Sequence, residues 1–357
     1  MEPFKNIYNK NEITKLAKEI ELVYKPFFKD EFIDSLINEQ WEKKELKQRI
    51  RAITLSLGVF LPNDYKKVLE ILSLVQDKFS GLFHLIFPDF VEVYGIEEYE
   101  VSIEALKLFT QNSSSEFAIR PFLVKYPQLI ETLKEWTKDQ NEHIRRLASE
   151  GSRSRLPWGM ALQKYKKDPS KVLEVLELLK NDKSEYVRKS VANNLNDISK
   201  DNPTLVKELF KKWYGKSKNT NWVVKHASRT LLKTGDKEVL ELFGYDAKGI
   251  EVVDLIADDE LDMEEYLNFS FNIKSKNILE KLRIEYKLGF VRQNKKMNYK
   301  VFKISEKVVK TDELFVEKSH HFKYVTTRKY YDGIHTLTII VNGKEFLSKE
   351  FTLKNCN

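Results

Sequence analysis

The chain of 357 residues is long enough for two or three domains, and its 41% hydrophobic and 12% aromatic residues exclude a disordered polymer. A single cysteine, Cys356, excludes an intrachain disulfide, and six scattered histidines show no metal-ligand spacing, so we expect no metal and no other cofactor. The formal charge of +7 suits a polyanionic partner if the excess charge lies on one face.

Residues 1–246 are predicted to form one helical domain. Apolar residues recur at three- and four-residue spacing in residues 13–23, 31–37 and 46–57. Pro169 and Pro203 each follow a polar residue at the predicted start of a helix, where a missing amide proton costs nothing.

A related pattern occurs three times between residues 141 and 235. Ile144, Val187 and Val224 occupy matching positions, 43 and then 37 residues apart. These intervals approach the roughly 40 to 47 residues of HEAT-type helix pairs. Such pairs stack into a curved solenoid whose concave face binds partners, and each copy here carries basic residues on its second helix. The sequence therefore predicts a mainly α, HEAT-like solenoid with a cationic concave face.

After Gly244 the spacing of apolar residues changes from three or four residues, typical of helices, to every second residue, typical of strands. Segments 266–274, 282–291, 299–304 and 336–341 alternate in polarity and are rich in β-branched and aromatic residues. An Asn-Gly pair at 342–343, the strongest short hairpin signal, joins two such runs. Residues 247–357 are thus predicted to form a small all-β, immunoglobulin-like sandwich without the cysteine pair of antibody domains.

The segment 149–159 departs from the composition of a solenoid interior. It combines Glu150, two arginines and Trp158 with two glycines and a proline, where a plain helix would carry leucine and alanine. Such departures tend to mark functional sites. Two further carboxylates are candidates for the same groove: Glu116, which follows three serines, and Asp197, which follows Asn193 by four residues on one helix face.

Taken together, six stretches resemble the AlkC-type alkylpurine DNA glycosylases, which are HEAT-like repeat enzymes of bacterial base-excision repair. The stretches are residues 4–10, 45–65, 115–123, 145–159, 187–203 and 222–236. One branch of that family carries an immunoglobulin-like C-terminal domain, as predicted here. The resemblance implies removal of cationic N3-alkylated bases, 3-methyladenine and 3-methylcytosine, from double-stranded DNA without full base flipping. We further expect a monomer.

The candidate residues suit that reaction. A base methylated at N3 is already cationic, so it leaves as a neutral molecule and needs no protonation. The protein must supply negative charge near the sugar cation, a group that orients water, and an aromatic face. We assign Glu150 and Asp197 to stabilising the sugar cation or positioning water, Glu116 to assisting them, and Trp158 to contacting the lesion or the flanking sugar.

Cations on or beside the repeat helices are candidates for phosphate binding, because guanidinium groups fit phosphate oxygens. The predicted DNA-binding residues are Arg120, Arg145, Arg146, Arg153, Arg155, Arg188, Lys189, Asn193, Trp222, Lys225 and Arg229.

Each candidate also has a purely structural interpretation. Glu150 fits a salt-bridge partner for a nearby arginine, Asp197 a solvent-facing residue near a helix end, and Glu116 a helix cap. Trp158 fits a packing anchor and Trp222 a part of the groove wall or the repeat core. In the sandwich, residues 320–323 with Arg328 and Lys329 fit a DNA contact and, equally, an ordinary polar hairpin.

The alternative function is a non-catalytic HEAT-like scaffold that binds nucleic acid or an acidic protein. Such a scaffold needs the basic face but no inward carboxylates, since these weaken affinity for phosphate. The placement of Glu116, Glu150 and Asp197 therefore discriminates between the two classes. Residues 1–11 lack the apolar segment of a secretory signal, and no run approaches the roughly 18 apolar residues of a membrane span, so we expect a cytoplasmic protein with no membrane contact.

Overall fold

The computed structural model describes residues 3–325 and 329–356, which divide into two compact units between Ala227 and Ser228. The first unit is built of helices, and the second contains two short helices followed by β-strands. Among the described residues, no helix is both long enough and apolar enough to cross a lipid bilayer.

Helices follow one another through the first unit. They are α1 (Lys10–Val23), α2 (Lys29–Leu36), α3 (Leu46–Phe60), α4 (Tyr65–Val75), α5 (Ile86–Tyr94), α6 (Tyr99–Phe109), α7 (Ile119–Lys125), α8 (Leu129–Trp136), α9 (Glu142–Gly151), α10 (Gln163–Lys167), α11 (Ser170–Leu179), α12 (Glu185–Ile198), α13 (Pro203–Trp213) and α14 (Lys218–Ala227). Short 3-10 helices occur at Phe4–Ile7, Gln76–Lys78, Phe83–Leu85 and Thr110–Asn112.

Helix starts are set by local side chains. The Asn9 side chain accepts from two amides in the first turn of α1, and Asp64 does the same for α4. Pro203 occupies the first turn of α13, as predicted from the sequence. These residues fix where α1, α4 and α13 begin.

The three matching sequence positions lie on helices that pack side by side. Ile144, Val187 and Val224 are buried on α9, α12 and α14, and α12 packs against both of the other helices. The repeat predicted from residue spacing is therefore confirmed. Helices α3 and α5 form another packed pair nearer the start of the chain.

The second unit carries α15 (Arg229–Lys233) and α16 (Lys237–Leu242) ahead of two sheets. Its strands are β1 (Ile250–Ala257), β2 (Glu260–Asp262), β3 (Tyr266–Ser275), β4 (Glu280–Val291), β5 (Met297–Val309), β6 (Glu313–His321), β7 (Gly333–Val341) and β8 (Lys344–Lys354). The sheet orders are β1-β3-β6 and β2-β8-β7-β4-β5, and one apolar core draws residues from both. The predicted all-β sandwich is confirmed.

The hairpin between β7 and β8 turns at Asn342 and Gly343, whose φ angles are 47° and 78°. Positive φ at both positions fits a two-residue hairpin turn, and Asn-Gly accepts it at low cost. A Cβ on Gly343 would lie 2.3 Å from a methyl carbon of Leu240 on α16, so any other residue at position 343 would also have to displace that side chain.

The short helices α15 and α16 belong with the sandwich. The Asn342 side chain donates to the Asp246 carbonyl at 2.6 Å, and Lys281 donates to the Phe243 carbonyl. The compact units accordingly divide before Ser228, whereas the sequence boundary at residues 246 and 247 marks the change from helix to strand. The boundary between residues 246 and 247, as the division between a helical domain and a sandwich domain, stays a prediction.

Candidate active site

Helix α9 and the loop that follows it carry the unusual segment. The Asn141 side chain accepts from the His143 amide at 2.9 Å and starts the helix. The buried face of α9 includes Ser149 and Glu150, so polar groups occupy positions that an ordinary repeat fills with apolar side chains. These groups require partners inside the protein, because buried polar atoms are costly when unpaired.

Glu150 is held from two sides. Its Oε1 accepts from Arg153 Nη1 at 2.6 Å, and its Oε2 accepts from the Ser190 hydroxyl of α12 at 2.6 Å. Arg146 Nη2 lies 3.6 Å from Oε1. Glu150 therefore does form a salt bridge with a nearby arginine, and these contacts fix the direction of its carboxylate.

Asp197 lies near the end of α12 with only 2% of its surface exposed. Its Oδ2 accepts from Arg153 Nε at 2.8 Å, and its Oδ1 accepts from Lys200 Nζ at 3.0 Å. The alternative in which Asp197 faces solvent is therefore wrong. Arg153 joins Asp197 to Glu150 and places two acids from different repeats beside one guanidinium.

Glu116 completes the group, which we call the carboxylate cluster (Glu116, Glu150 and Asp197). Arg146 donates to Glu116, and the Ser114 hydroxyl donates to the same oxygen at 2.6 Å. Helix α7 starts three residues later and takes no side-chain cap from Glu116. The cap interpretation is therefore wrong, and the structure brings all three predicted carboxylates together through Arg146 and Arg153.

Trp158 lies in the loop after α9 and is 62% exposed, so it is not a packing anchor. Its φ of 63° places a non-glycine residue in the left-handed region, a conformation that costs about 1–3 kcal/mol and that clusters at functional sites. Lys47 of α3 donates to the Trp158 carbonyl from across the unit. The loop is thus held in a strained form that presents an aromatic ring.

Arg120 anchors the other side of this loop. Fully buried, it donates to the Met160 carbonyl at 2.8 Å and to the Gly151 carbonyl at 2.9 Å. Burial, together with the positive charge of Arg153, lowers the pKa of Arg120 to about 10. In this structure the Arg120 donors are directed to backbone carbonyls, and the assignment of Arg120 to DNA binding stays a prediction.

Two other predicted phosphate ligands are also buried. Arg145 forms a two-bond ion pair with Asp182, at 2.7 and 3.0 Å, and Arg153 is held by the carboxylate cluster. Both side chains are therefore engaged in ion pairs within the protein, and their assignment to phosphate binding stays a prediction. Arg146 lies 4.7 Å from the Tyr186 ring centre while it pairs with Glu116.

The remaining DNA-binding candidates lie in the loop after α9, on α12, on α14 and, for Arg229, on α15 of the second unit, and they are more exposed. Arg155 pairs with Asp201 through two bonds, and exposed Lys189 pairs with Glu185 along α12. Arg188 donates to the carbonyls of the loop before α12 and lies 5.9 Å from the Trp222 ring. Trp222 stacks on His226 with ring centres 5.0 Å apart. The half-buried candidates with partners of their own are Asn193, Lys225 and Arg229.

A cavity of about 380 Å³ opens beside Glu116, Glu150 and Trp158. Its other wall comes from α3 and α5, where Arg51 donates to Asp89 at 2.9 Å and to Glu92 at 2.8 Å. Burial raises the pKa of Glu92 and that of Asp89 above their usual ranges despite the neighbouring guanidinium. This wall was not predicted; the signal available in the sequence was two acids three residues apart in the otherwise apolar helix α5.

In the sandwich, His320 Nδ1 lies 2.7 Å from the Tyr286 hydroxyl, and His321 stacks on Tyr266. Both histidines thus have partners within their own unit. Arg328 lies outside the described residues. Within residues 3–325 and 329–356, histidine, cysteine and acidic side chains form no group of three able to hold a metal ion.

The chain matches two family models, one in each part. Residues 97–231 match the model described as "DNA alkylation repair enzyme", and residues 252–355 match "Uncharacterised protein YhaZ, C-terminal Ig-like domain". The class is therefore a helical-repeat DNA alkylation repair protein with an appended immunoglobulin-like domain.

Two relatives span nearly the whole chain. The uncharacterized protein YhaZ of Bacillus subtilis is 47% identical over 98% of this chain and 99% of its own length. Pseudomonas fluorescens alkylpurine DNA glycosylase AlkC, solved bound to DNA containing an abasic site analog, is 35% identical with a TM-score of 0.95, covering 99% of this chain and 100% of that one. The chain belongs to the AlkC-type family of DNA alkylation repair enzymes.

Proposed function

We propose that the protein is a monomeric DNA glycosylase that hydrolyses the N-glycosidic bond of cationic N3-alkylated bases, 3-methyladenine and 3-methylcytosine, in duplex DNA without full base flipping. The observation that carries this proposal is the buried bridge from Glu150 through Arg153 to Asp197, beside an exposed Trp158. The likeness to AlkC supports it, since that enzyme was solved with DNA that mimics a site lacking its base.

In the proposed reaction, the bond between the sugar C1′ and the base nitrogen breaks, and its electron pair stays with the base. The base leaves neutral, and positive charge develops on the sugar. Preorganised carboxylates stabilise such charge without reorganising during the reaction, which is the largest single contribution in many enzymes. Water then attacks C1′ and gives up its proton to a carboxylate or to solvent.

Arg153 and Arg146 have a positioning role in this scheme. Each guanidinium is held between acids that come from different parts of the array. Fixing the acids in this way removes the entropy cost of orienting them during catalysis. The same pairs partly compensate the buried negative charge, which would otherwise raise the free energy of the folded protein.

The scaffold alternative is less well supported. Scattered, solvent-facing acids would fit a protein that only binds, whereas the carboxylate cluster is gathered around two arginines and adjoins a cavity. Carboxylates that face the groove weaken its affinity for phosphate. This loss of affinity is explained if the carboxylates stabilise the positive charge that develops on the sugar.

A direct assay separates the two functions. Purified full-length protein, incubated with duplex DNA that carries N3-methylated bases, is expected to release 3-methyladenine and 3-methylcytosine, identified by chromatography. Binding of the same DNA, shown by a gel shift, without any release above a protein-free control would contradict the glycosylase and favour the scaffold.

Replacing Trp158 with alanine tests the aromatic contact. Because the ring is exposed, the free energy of unfolding should change by no more than about 0.5 kcal/mol. Loss of a cation–π contact worth about 0.5–2 kcal/mol should slow base release by up to about thirty-fold in single-turnover assays. Phe28, which is 65% exposed, provides the matched control, and Phe28→Ala should release the bases at the wild-type rate. Equal rates for both variants would remove Trp158 from the site.

A further inference from the structure

The cavity beside the carboxylate cluster has a second polar wall for which the proposed chemistry gives no role. Its volume of about 380 Å³ falls within the roughly 300–1,000 Å³ typical of ligand pockets. Leu82, Leu85, Pro88 and Phe117 contribute apolar lining. A flat, largely apolar molecule with a few polar groups at one edge matches such a lining.

On this second wall, a hydrogen-bond donor lies directly beside an acceptor. Arg51 Nη2 donates to Glu92 Oε1 at 2.8 Å, and both side chains stay partly exposed, at 42% and 25%. Arg51 has further N–H groups, and Glu92 has a second carboxylate oxygen. The pair therefore offers one guanidinium donor and one carboxylate acceptor to a ligand.

Nucleobases differ in how they match this pair. Adenine presents an acceptor at N7 next to an amino donor at N6, and cytosine presents an amino donor at N4. Guanine presents two acceptors, N7 and O6, so its O6 would face the Glu92 carboxylate without a proton between them. A polar group that the ligand covers without pairing it is costly, and this cost makes such sites discriminating.

We propose that this cavity receives the departing base and that the Arg51–Glu92 pair selects bases with an amino group at the edge that meets the pair, N6 of adenine or N4 of cytosine, over guanine derivatives, which carry O6 at that edge. The inference rests on the proposed glycosylase function. Contacts that form as the base separates from the sugar are stronger in the transition state than in the bound substrate, and they raise the rate of bond cleavage. Glu92 is thus a specificity-determining residue, distinct from the carboxylate cluster that faces the sugar.

The test uses full-length protein and duplex DNA methylated at N3 of both adenine and guanine, with 3-methyladenine and 3-methylguanine quantified by chromatography. Both nucleosides are cationic, so the leaving-group charge does not separate them. In Glu92→Gln the amide can donate to guanine O6 or accept from an amine. The ratio of 3-methyladenine to 3-methylguanine release rates should fall about ten-fold, as expected for one hydrogen bond to a charged group.

Two controls isolate this effect. Glu97→Gln also removes one carboxylate, from an exposed pair with Lys125, and should keep the wild-type ratio. Affinity of Glu92→Gln for a duplex containing an abasic-site analog should stay within about two-fold of wild type, because that ligand has no base, and this measurement also shows that the variant is folded.

The outcomes separate the inference from the proposed function. If wild type releases 3-methyladenine and Glu92→Gln keeps the wild-type ratio, or slows both bases equally, the cavity does not select the base and the inference is overturned while the glycosylase stands. If wild type releases no base, the proposed function itself fails and the inference fails with it.

Discussion

Replacing Asp197 with asparagine is expected to slow release of 3-methyladenine by about 10²–10³-fold, the loss that follows removal of one preorganised electrostatic stabiliser. The side chain is buried and is held by Arg153 and Lys200, so its charge acts where water does not screen it. Asparagine keeps the shape and one acceptor oxygen but removes the charge. Single-turnover release from methylated duplex DNA measures the effect.

Asp201 provides the matched control. It lies four residues after Asp197 and forms two bonds to Arg155, in a pair that is partly open to solvent. Asp201→Asn loses the same charge from the same region, yet it should keep the release rate of wild type within about two-fold, because exposed ion pairs contribute little. A folded Asp197→Asn protein that releases bases at the wild-type rate would exclude Asp197 from the chemistry.

Local periodicity was sufficient to predict the architecture of both parts. The matching positions Ile144, Val187 and Val224 lie on neighbouring packed helices, and the Asn342–Gly343 pair makes the turn that its chemistry favours. Strands β1, β2 and β6 were missed. All three are outer strands of their sheets, where charged residues such as Glu251 are tolerated and weaken the alternating signal.

The candidate site was predicted only in part, because sequence shows which residues are unusual but not which ones meet. The unusual composition of residues 149–159 pointed to Glu150, and the spacing of four residues from Asn193 on one helix face pointed to Asp197. The role of Arg153 depends on an ion pair across 44 residues, which no local pattern encodes, so charge alone had placed it among the phosphate ligands. The contacts of Arg51 with Asp89 and Glu92 were also missed, because they join α3 to α5 across 38 and 41 residues and both helices lie outside the repeated segments.

Burial of the carboxylate cluster also makes its arginines important for stability. Arg153→Met is expected to lower the free energy of unfolding by about 3–5 kcal/mol, because it leaves Glu150 and Asp197 buried without their shared partner. Urea unfolding followed by circular dichroism measures this loss. Arg155→Met, which breaks the more exposed pair with Asp201, should cost less than about 1 kcal/mol.

A double variant shows whether uncompensated charge is the cause. If unpaired acids destabilise Arg153→Met, then adding Asp197→Asn removes one of them, and the double variant should be more stable than Arg153→Met alone. Substitutions within one ion-pair network change the free energy of unfolding non-additively, typically by about 0.5–3 kcal/mol. Additive losses would instead indicate that Arg153 stabilises the fold through packing of its side chain, and the guanidinium would then not be the group that holds the two acids in place.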